Sequence, residues 1–306
     1  MDIVLHIGAH RCATTTFQHY MRLNAERLER CGIGFWGPRR TRNGLFSGLA
    51  PRSRIATGRN LQRRAAGRVQ LHCARSEALG IETLVVSDEN MLGSVRANLR
   101  IGELYCGVGE RVARYAHAFG GRVSKVVLNI RSLEYFWASS LGYGLTRGMG
   151  VPVHSSLDRL AYGPRSWRDV VTDVACAAPD AQILVLPFEI FSGQPEVQLS
   201  AITRRKTPKS HARDWLNATP KLPELREIIH ELPAGEGRWQ PFEAPQIAAM
   251  RETYSDDLLW LAAGADGLAS LITDPNKIRV EMNPPVTDLT RGRHYDHEKR
   301  RLAGSG

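Results

Sequence analysis

HIGAHRCATTTFQ, His6 to Gln18, is the stretch on which the fold turns. It continues a short apolar strand, Ile3 to Ile7, through a loop of small residues and into a helix that starts near Thr15. In α/β proteins a strand–loop–helix of this kind holds a phosphate, because the loop amides and the helix N-terminus both direct positive charge at an anion. Outward from it the alternation repeats. Strands are predicted over 2–8, around Gly32 to Trp36, and at Thr83 to Ser87, Val123 to Ile130 and Gln182 to Leu186. Helices are predicted over 15–30, up to Leu79 after a loop rich in Arg, Gly and Pro, and at Gly109 to Phe119, Leu133 to Leu145 and Ser166 to Ala177. After residue 190 the signals are helical: Pro195 to Thr203, Leu222 to Leu232 and Pro245 to Ala263. Such alternation predicts an α/β fold with a central parallel sheet flanked by helices. Ligands then bind outside the carboxyl ends of the strands.

A nucleotide-triphosphatase loop reads G-x-x-x-x-G-K-[ST]. Counted from Gly8, the second glycine position is Ala13, the lysine position is Thr14 and the hydroxyl position is Thr15. The lysine is absent, and a cation stands inside the loop at Arg11. This arrangement resembles the 5′-phosphosulfate loop of sulfotransferases that use 3′-phosphoadenosine 5′-phosphosulfate (PAPS). The family pattern, roughly H-x-G-x-x-K-T-[GA]-T-T, falls on His6, Gly8, Arg11, Cys12, Ala13, Thr14 and Thr15. Two positions depart from it: the family's lysine is Arg11 here, and its first hydroxyl residue is Cys12. Arginine keeps the charge but not the compact ammonium.

The resemblance extends to a second place. The strand VSKVVLNI ends at Arg131, and Ser139 follows eight residues later, two turns into the next helix. Sulfotransferases clamp the 3′-phosphate of the nucleotide with an Arg and a Ser at this spacing, although R-D-P of the family is Arg131-Ser132-Leu133 here. Arginine grips phosphate bidentately, and the helix fixes the serine hydroxyl at a set distance from it. RETYSDDLLWL, Arg251 to Leu261, looks like a late helix of the same family. The resemblance implies a P-loop-containing nucleotide hydrolase-like sulfotransferase fold. It implies one domain over 1–275, with a cofactor-binding core over 1–190, a mostly helical part over 191–275, and an irregular tail over 276–306. The cofactor-binding set it implies is Arg11, Cys12, Ala13, Thr14, Thr15, Thr16, Arg131 and Ser139. PAPS is the implied co-substrate, with no metal, since the fixed cation stands where Mg²⁺ serves in triphosphatases.

Sulfuryl transfer to an alcohol or amine needs a base within reach of the acceptor's proton. SDENMLG, just past the strand Thr83 to Ser87, offers Asp88, Glu89 and Asn90. Glu89 is the expected base, Asp88 the second choice, and His10 in the loop a third. The same residues also suit a plain helix start, with Ser87 or Asp88 as cap. His6 lies on the strand and reads as a buried structural imidazole, and Trp137 as core. Arg204, Arg205, Lys206 and Lys209 could form a basic flap over the 3′-phosphate or a surface loop. His294, Asp296, His297 and Glu298 imitate a metal tract in a charged terminus.

The chain has 306 residues, a net charge of +10 and 42% apolar residues. A basic balance favours anionic partners. Arginine is concentrated at Arg39, Arg40, Arg42, Arg52, Arg54, Arg59, Arg63, Arg64 and Arg68. The five cysteines, Cys12, Cys31, Cys73, Cys106 and Cys176, lack C-x-x-C spacing, so neither a disulfide framework nor a zinc site is indicated. No apolar run reaches membrane-span length, and MDIVLHIG reads as a strand rather than a signal peptide, so a cytoplasmic protein is expected. The expected partners are the nucleotide and an unidentified acceptor, with no nucleic acid. A P-loop kinase-like phosphoryl transferase and a non-enzymatic, basic polyanion-binding module are the rival readings, disfavoured by Thr14 in the lysine position and by the two paired phosphate motifs.

Overall fold

The computed structural model describes residues 1–49 and 59–273. Six strands form one all-parallel sheet: β1 (Asp2–His6), β2 (Ile33–Trp36), β3 (Thr83–Ser87), β4 (Val123–Ile130), β5 (Gln182–Pro187) and β6 (Ser270–Leu271), in the order β2-β3-β1-β4-β5-β6. Period-two alternation feeds two cores. Ile3, Leu5 and Ile7 join Leu128 and Ile130 on one face, beneath the helices Arg59–Ala78, Val108–Ala118, Leu133–Leu145, Trp167–Ala177 and Ala244–Ala262. Val4, Val85, Val127 and Leu184 face the other way, against helix α1 (Thr14–Leu23) and the helix Pro195–Thr203. Burial on both faces is why β3 reads as the unbroken apolar run TLVV.

The chain leaves β1 towards β2 on one side and leaves β4 towards β5 on the other, so the connections diverge between β1 and β4. That divergence opens a crevice at their carboxyl ends. A polar layer floors it. His6 is fully buried; its Nδ1 lies 2.7 Å from Ser87 Oγ and its Nε2 lies 2.9 Å from Asn129 Oδ1. Gln18 of α1 donates to Ser87 Oγ at 3.2 Å, and Gln198 lies 2.8 Å from His6 Nε2. Gly8 is tightly packed: a Cβ there would lie 3.1 Å from Asn129 Oδ1 and 3.2 Å from Thr14 Oγ1, so those side chains would have to give way.

Several boundaries differ from the expectations. The helix expected over 15–30 starts at Thr14 and breaks at Asn24, whose amide donates to Tyr20 O and Ser210 O and ends α1 at Leu23; a short helix, Ala25–Glu29, follows. Helices Val95–Ile101 and His154–Ala161 and strand β6 carried no clear signal. After residue 190 the helices Pro195–Thr203 and Ala244–Ala262 fall where expected and Leu222–Ile228 ends before Leu232; the chain between them follows loops and turns. The late helix is fastened by the residues that marked it. Tyr254 donates to Glu189 Oε2 at 2.9 Å, and the Asp257 carboxylate accepts from Trp167 N at 2.9 Å and Ser166 Oγ at 2.6 Å. The expected tail cluster from His294 to Glu298 lies outside the described residues, as do Arg52 and Arg54.

Burial pushes the His6 imidazole down to about 4 from 6.5, so it stays neutral in the fold while the unfolded chain takes up a proton. A group whose pKa falls on folding contributes stability fully above its unfolded pKa, and that contribution is lost as pH drops from about 6.5 to about 4. We expect this one residue to remove about 3 kcal/mol of stability over that window. Denaturant unfolding at several pH values checks it: His6→Gln should flatten that part of the profile, and an unchanged slope would exclude His6 as its source.

Candidate functional site

The loop after β1 is held in an unusual backbone path. Arg11 (φ 64°) and Ala13 (φ 58°) both occupy the left-handed region, which costs an L-residue about 1–2 kcal/mol. This path turns the amides outward. Among the described residues, no backbone amide from Arg11 to Thr16 donates to another protein atom; the first bond of the helix is Phe17 N to Ala13 O at 3.1 Å. The loop is braced from below by Thr14 Oγ1 donating to Ala9 O at 3.2 Å, and from the side by Arg131 Nη1 donating to Arg11 O at 3.0 Å.

A cleft with about 790 Å³ of open space lies over these amides. His10, Arg11, Ala13, Thr14, Thr15, Glu89, Arg131 and Ser139 all line it, so residues far apart in sequence meet here. Arg11 Nε donates to Ser139 Oγ at 2.9 Å, which joins the two phosphate motifs directly. Arg131 is buried; its guanidinium carbon lies 4.3 Å from the centre of the Phe188 ring, and its Nε has no partner. Burial lowers the pKa of both arginines; their mutual repulsion adds to this at Arg11, and Arg238 adds to it at Arg131. Among the described residues none of Arg11, Arg131 and Arg238 forms an ion pair with a carboxylate. Buried cations without counter-charges are costly unless an anion arrives.

Two of the expected binding residues do not face the cleft. The Cys12 thiol packs into the core, and burial pushes it up to about 12, so it is a neutral hydrophobe and only its amide is available. Thr16 is buried, with its Oγ1 accepting from Leu216 N at 3.1 Å. The flap assignment also needs correction. Arg205 donates to Cys31 O and to Glu82 Oε2 at 2.6 Å, beside the amino end of β3 and opposite the cleft. The segment that covers the loop is Trp215 to Thr219, which carries no recognisable motif. Arg11 Nη2 donates to Thr219 Oγ1 at 2.9 Å, and Ser139 and Thr219 hydroxyls lie 2.6 Å apart. Arg238 and Tyr143 complete the lining; the Arg11 guanidinium carbon lies 5.4 Å from the centre of the Tyr143 ring.

The three base candidates have different surroundings. Asp88 caps the short turn Glu89–Met91 by accepting from Asn90 N, and takes Thr41 Oγ1 at 2.5 Å and Arg42 Nη2 at 2.7 Å. It is buried by these partners and does not line the cleft. Glu89 does line it, held by Gln18 Nε2 and Arg42 Nη2, each at 2.9 Å. Burial works to raise the Glu89 carboxyl, but the Arg42 charge, hydrogen bonds and His10 outweigh it, and the group ends below the usual carboxylate range. His10 is kept neutral chiefly by burial. Its backbone amide donates to Tyr105 Oη at 2.9 Å, and its Nδ1 lies 3.0 Å from the same oxygen. The Tyr105 hydroxyl thus donates to Nδ1, which leaves the His10 proton on Nε2, 3.3 Å from Asn90 Oδ1. In this tautomer His10 offers the cleft an N–H donor, and Glu89 offers the free lone pairs.

Among the described residues no cluster of three potential metal ligands occurs, and no helix is long and apolar enough to cross a membrane. Compared with known proteins, the chain matches no family model, no curated protein and no solved structure. Its function is therefore argued from the site.

Arg42 should be the residue that keeps Glu89 ionised. With Arg42→Ala, burial then dominates and the carboxyl rises above its usual value. We expect a loss of about 1–3 kcal/mol at neutral pH, moderated because Arg42 is partly exposed. The loss should shrink as pH falls through the carboxylate range, since a protonated Glu89 no longer needs the arginine. Paired unfolding curves at neutral and acid pH check the sign; an equal loss at both would contradict it.

Proposed function

We propose that the protein is a sulfotransferase that moves a sulfuryl group from PAPS to a hydroxyl or amine of an acceptor, on a P-loop-like sulfotransferase fold. One observation carries the reading: unengaged loop amides converge with the buried Arg131 and the half-buried Arg11, neither of which has a counter-charge among the described residues, at the point where β1 and β4 diverge. That donor set suits a nucleotide with two separated phosphates. Arg131, with its unpartnered Nε, and Ser139 would hold the 3′-phosphate. Arg11 and the amides of Ala13, Thr14 and Thr15 would hold the 5′-side, with Cys12 and Thr16 contributing backbone alone. The bound nucleotide supplies an activated S–O bond, which breaks as the acceptor oxygen or nitrogen bonds to sulfur.

The chain's own groups account for the rest. Glu89 accepts the acceptor's proton, and Gln18 and Arg42 hold the carboxylate in place. The His10 Nε2–H and the Arg11 guanidinium donate towards charge that develops on the leaving side. Arg42 makes Glu89 a weak base, so proton transfer is late, when the attacking atom has become acidic. A kinase-like reaction lacks its lysine at Thr14.

Two measurements test this reading. Titration calorimetry should show tight binding of 3′-phosphoadenosine 5′-phosphate (PAP), at least about tenfold tighter than adenosine 5′-phosphate, because a charge-assisted contact is worth about 1.5–3 kcal/mol. Arg131→Ala should erase that preference; equal affinity for the two nucleotides in the wild type would remove the role given to Arg131 and Ser139. Glu89→Gln should leave PAP affinity nearly unchanged while turnover with a true acceptor falls by about 10²–10⁴. Turnover close to wild type would reduce Glu89 to a capping residue.

A further inference from the structure

A second cleft opens beside the first and shares Thr15 and Leu216 with it. It encloses about 840 Å³ of open space, and Gln18, which holds Glu89, lies in its wall. Its cationic side is Arg22, Arg39 and Arg40; its apolar side is Phe35, Pro38 and Leu216. Arg40 also lines a third cleft with Asn43, Ser47, Arg68 and His72. Three clefts in succession thus share residues, and arginines recur along them.

These arginines have no acidic partners. Among the described residues none of Arg22, Arg39, Arg40 and Arg68 forms an ion pair. Arg22 donates to His19 Nδ1 at 2.8 Å and Arg40 to His72 Nδ1 at 3.0 Å, so both imidazoles act as neutral acceptors. Arg68 donates to the carbonyls of Leu45 and Ser47. Asp214 lies 3.4 Å from His19 Nε2. Arg40 is set in place by stacking over Trp36, with its guanidinium carbon 4.6 Å from the ring centre. His72 titrates low, through burial first and then through Arg40, Arg75 and Arg68.

We infer that these clefts bind the acceptor, and that the acceptor is an acidic oligosaccharide or polysaccharide. The inference rests on the sulfuryl-transfer reading for the word acceptor; the anion-binding trough stands apart from it. Three requirements select the class. The ligand must bring a hydroxyl or amine to Glu89. It must present anions repeatedly, to match arginines that recur from one cleft to the next. It must offer small apolar faces to Phe35, Pro38 and Leu216, with hydroxyls for Gln18, Asn43 and Ser47. Saccharide chains that carry carboxylates meet all three within each repeat. A nucleic acid also brings repeated anions and hydroxyls or amines, but it meets the third requirement poorly, since one half-buried ring, Phe35, provides little stacking surface for its bases.

The test uses the full chain and four probes: unsulfated chondroitin and heparosan hexasaccharides, neutral chitohexaose, and single-stranded oligo(dT), with PAP titrated in parallel. The expected result is binding of at least one uronate hexasaccharide, weakened as salt rises, with chitohexaose at least about tenfold weaker for want of charge-assisted contacts. The double variant Arg22→Gln/Arg39→Gln, which leaves the Arg40 stack intact, should weaken the hexasaccharide about tenfold and leave PAP affinity unchanged. Failure to bind either uronate chain, equal binding of chitohexaose, preference for oligo(dT), or indifference to the double variant would each overturn the inference. Hexasaccharide binding without PAP binding would keep the trough and overturn its description as an acceptor site. PAP binding without hexasaccharide binding would remove this inference alone.

Discussion

His6 ties three strands together at the floor of the cleft, and the rest of the site is built on that knot. Its two ring nitrogens reach Ser87 at the end of β3 and Asn129 near the end of β4, at 2.7 and 2.9 Å. Full burial keeps the ring neutral, so Nε2 donates to the Asn129 oxygen and Nδ1 accepts from the Ser87 hydroxyl. The knot gives a reason for Gly8 to follow immediately: the chain passes close to Asn129 and Thr14, and a methyl group would press on both. Gln18 extends the layer from Ser87 to Glu89, so one chain of hydrogen bonds joins the core to the Glu89 carboxylate. A polar network of this kind fixes geometry only when all its members are satisfied.

Charge is distributed unevenly about this knot. Asp88 and Glu89 take up Arg42 on one side, and Glu134 takes up Arg251 at 3.0 Å. Among the described residues, the arginines that face the open space have no such partners. The protein thus pairs its cations where they carry structure and leaves them unpaired where an anion can reach. Removing a counter-charge from a buried arginine costs free energy in the empty protein, and that cost is recovered when an anionic ligand binds.

How much of this was readable beforehand depended on the distance over which each residue acts. The β1–loop–α1 unit was legible because its whole logic is local: an apolar strand, small residues, then threonines. Arg131 and Ser139 were legible as a pair because a strand end and two helical turns fix their separation. The covering segment from Trp215 to Thr219 was not, because its place is set by contacts to Thr16, Arg11 and Ser139, all distant in sequence. The Arg42 partnership escaped for the same reason, being made across 46 residues to Asp88. That the Cys12 and Thr16 side chains turn inward was not legible, because a motif assigns residues to a loop without saying which side chains face the cleft. β6 is two residues long and has no alternation to detect.

The order of the strands also affects how the chain is made. β1 leaves the ribosome first, yet its partners on either side follow much later: Ser87 stands 81 residues after His6, and Asn129 stands 123 residues after it. At about 5–20 residues per second, a strand with an apolar centre waits several seconds, with both edges open, for the segments that will pair with it. Long-range parallel pairing is slow in itself. The nascent protein is therefore most prone to mispairing and to capture by chaperones during synthesis of its first half. Substitutions in β1 that leave the folded protein unharmed can still lower its yield.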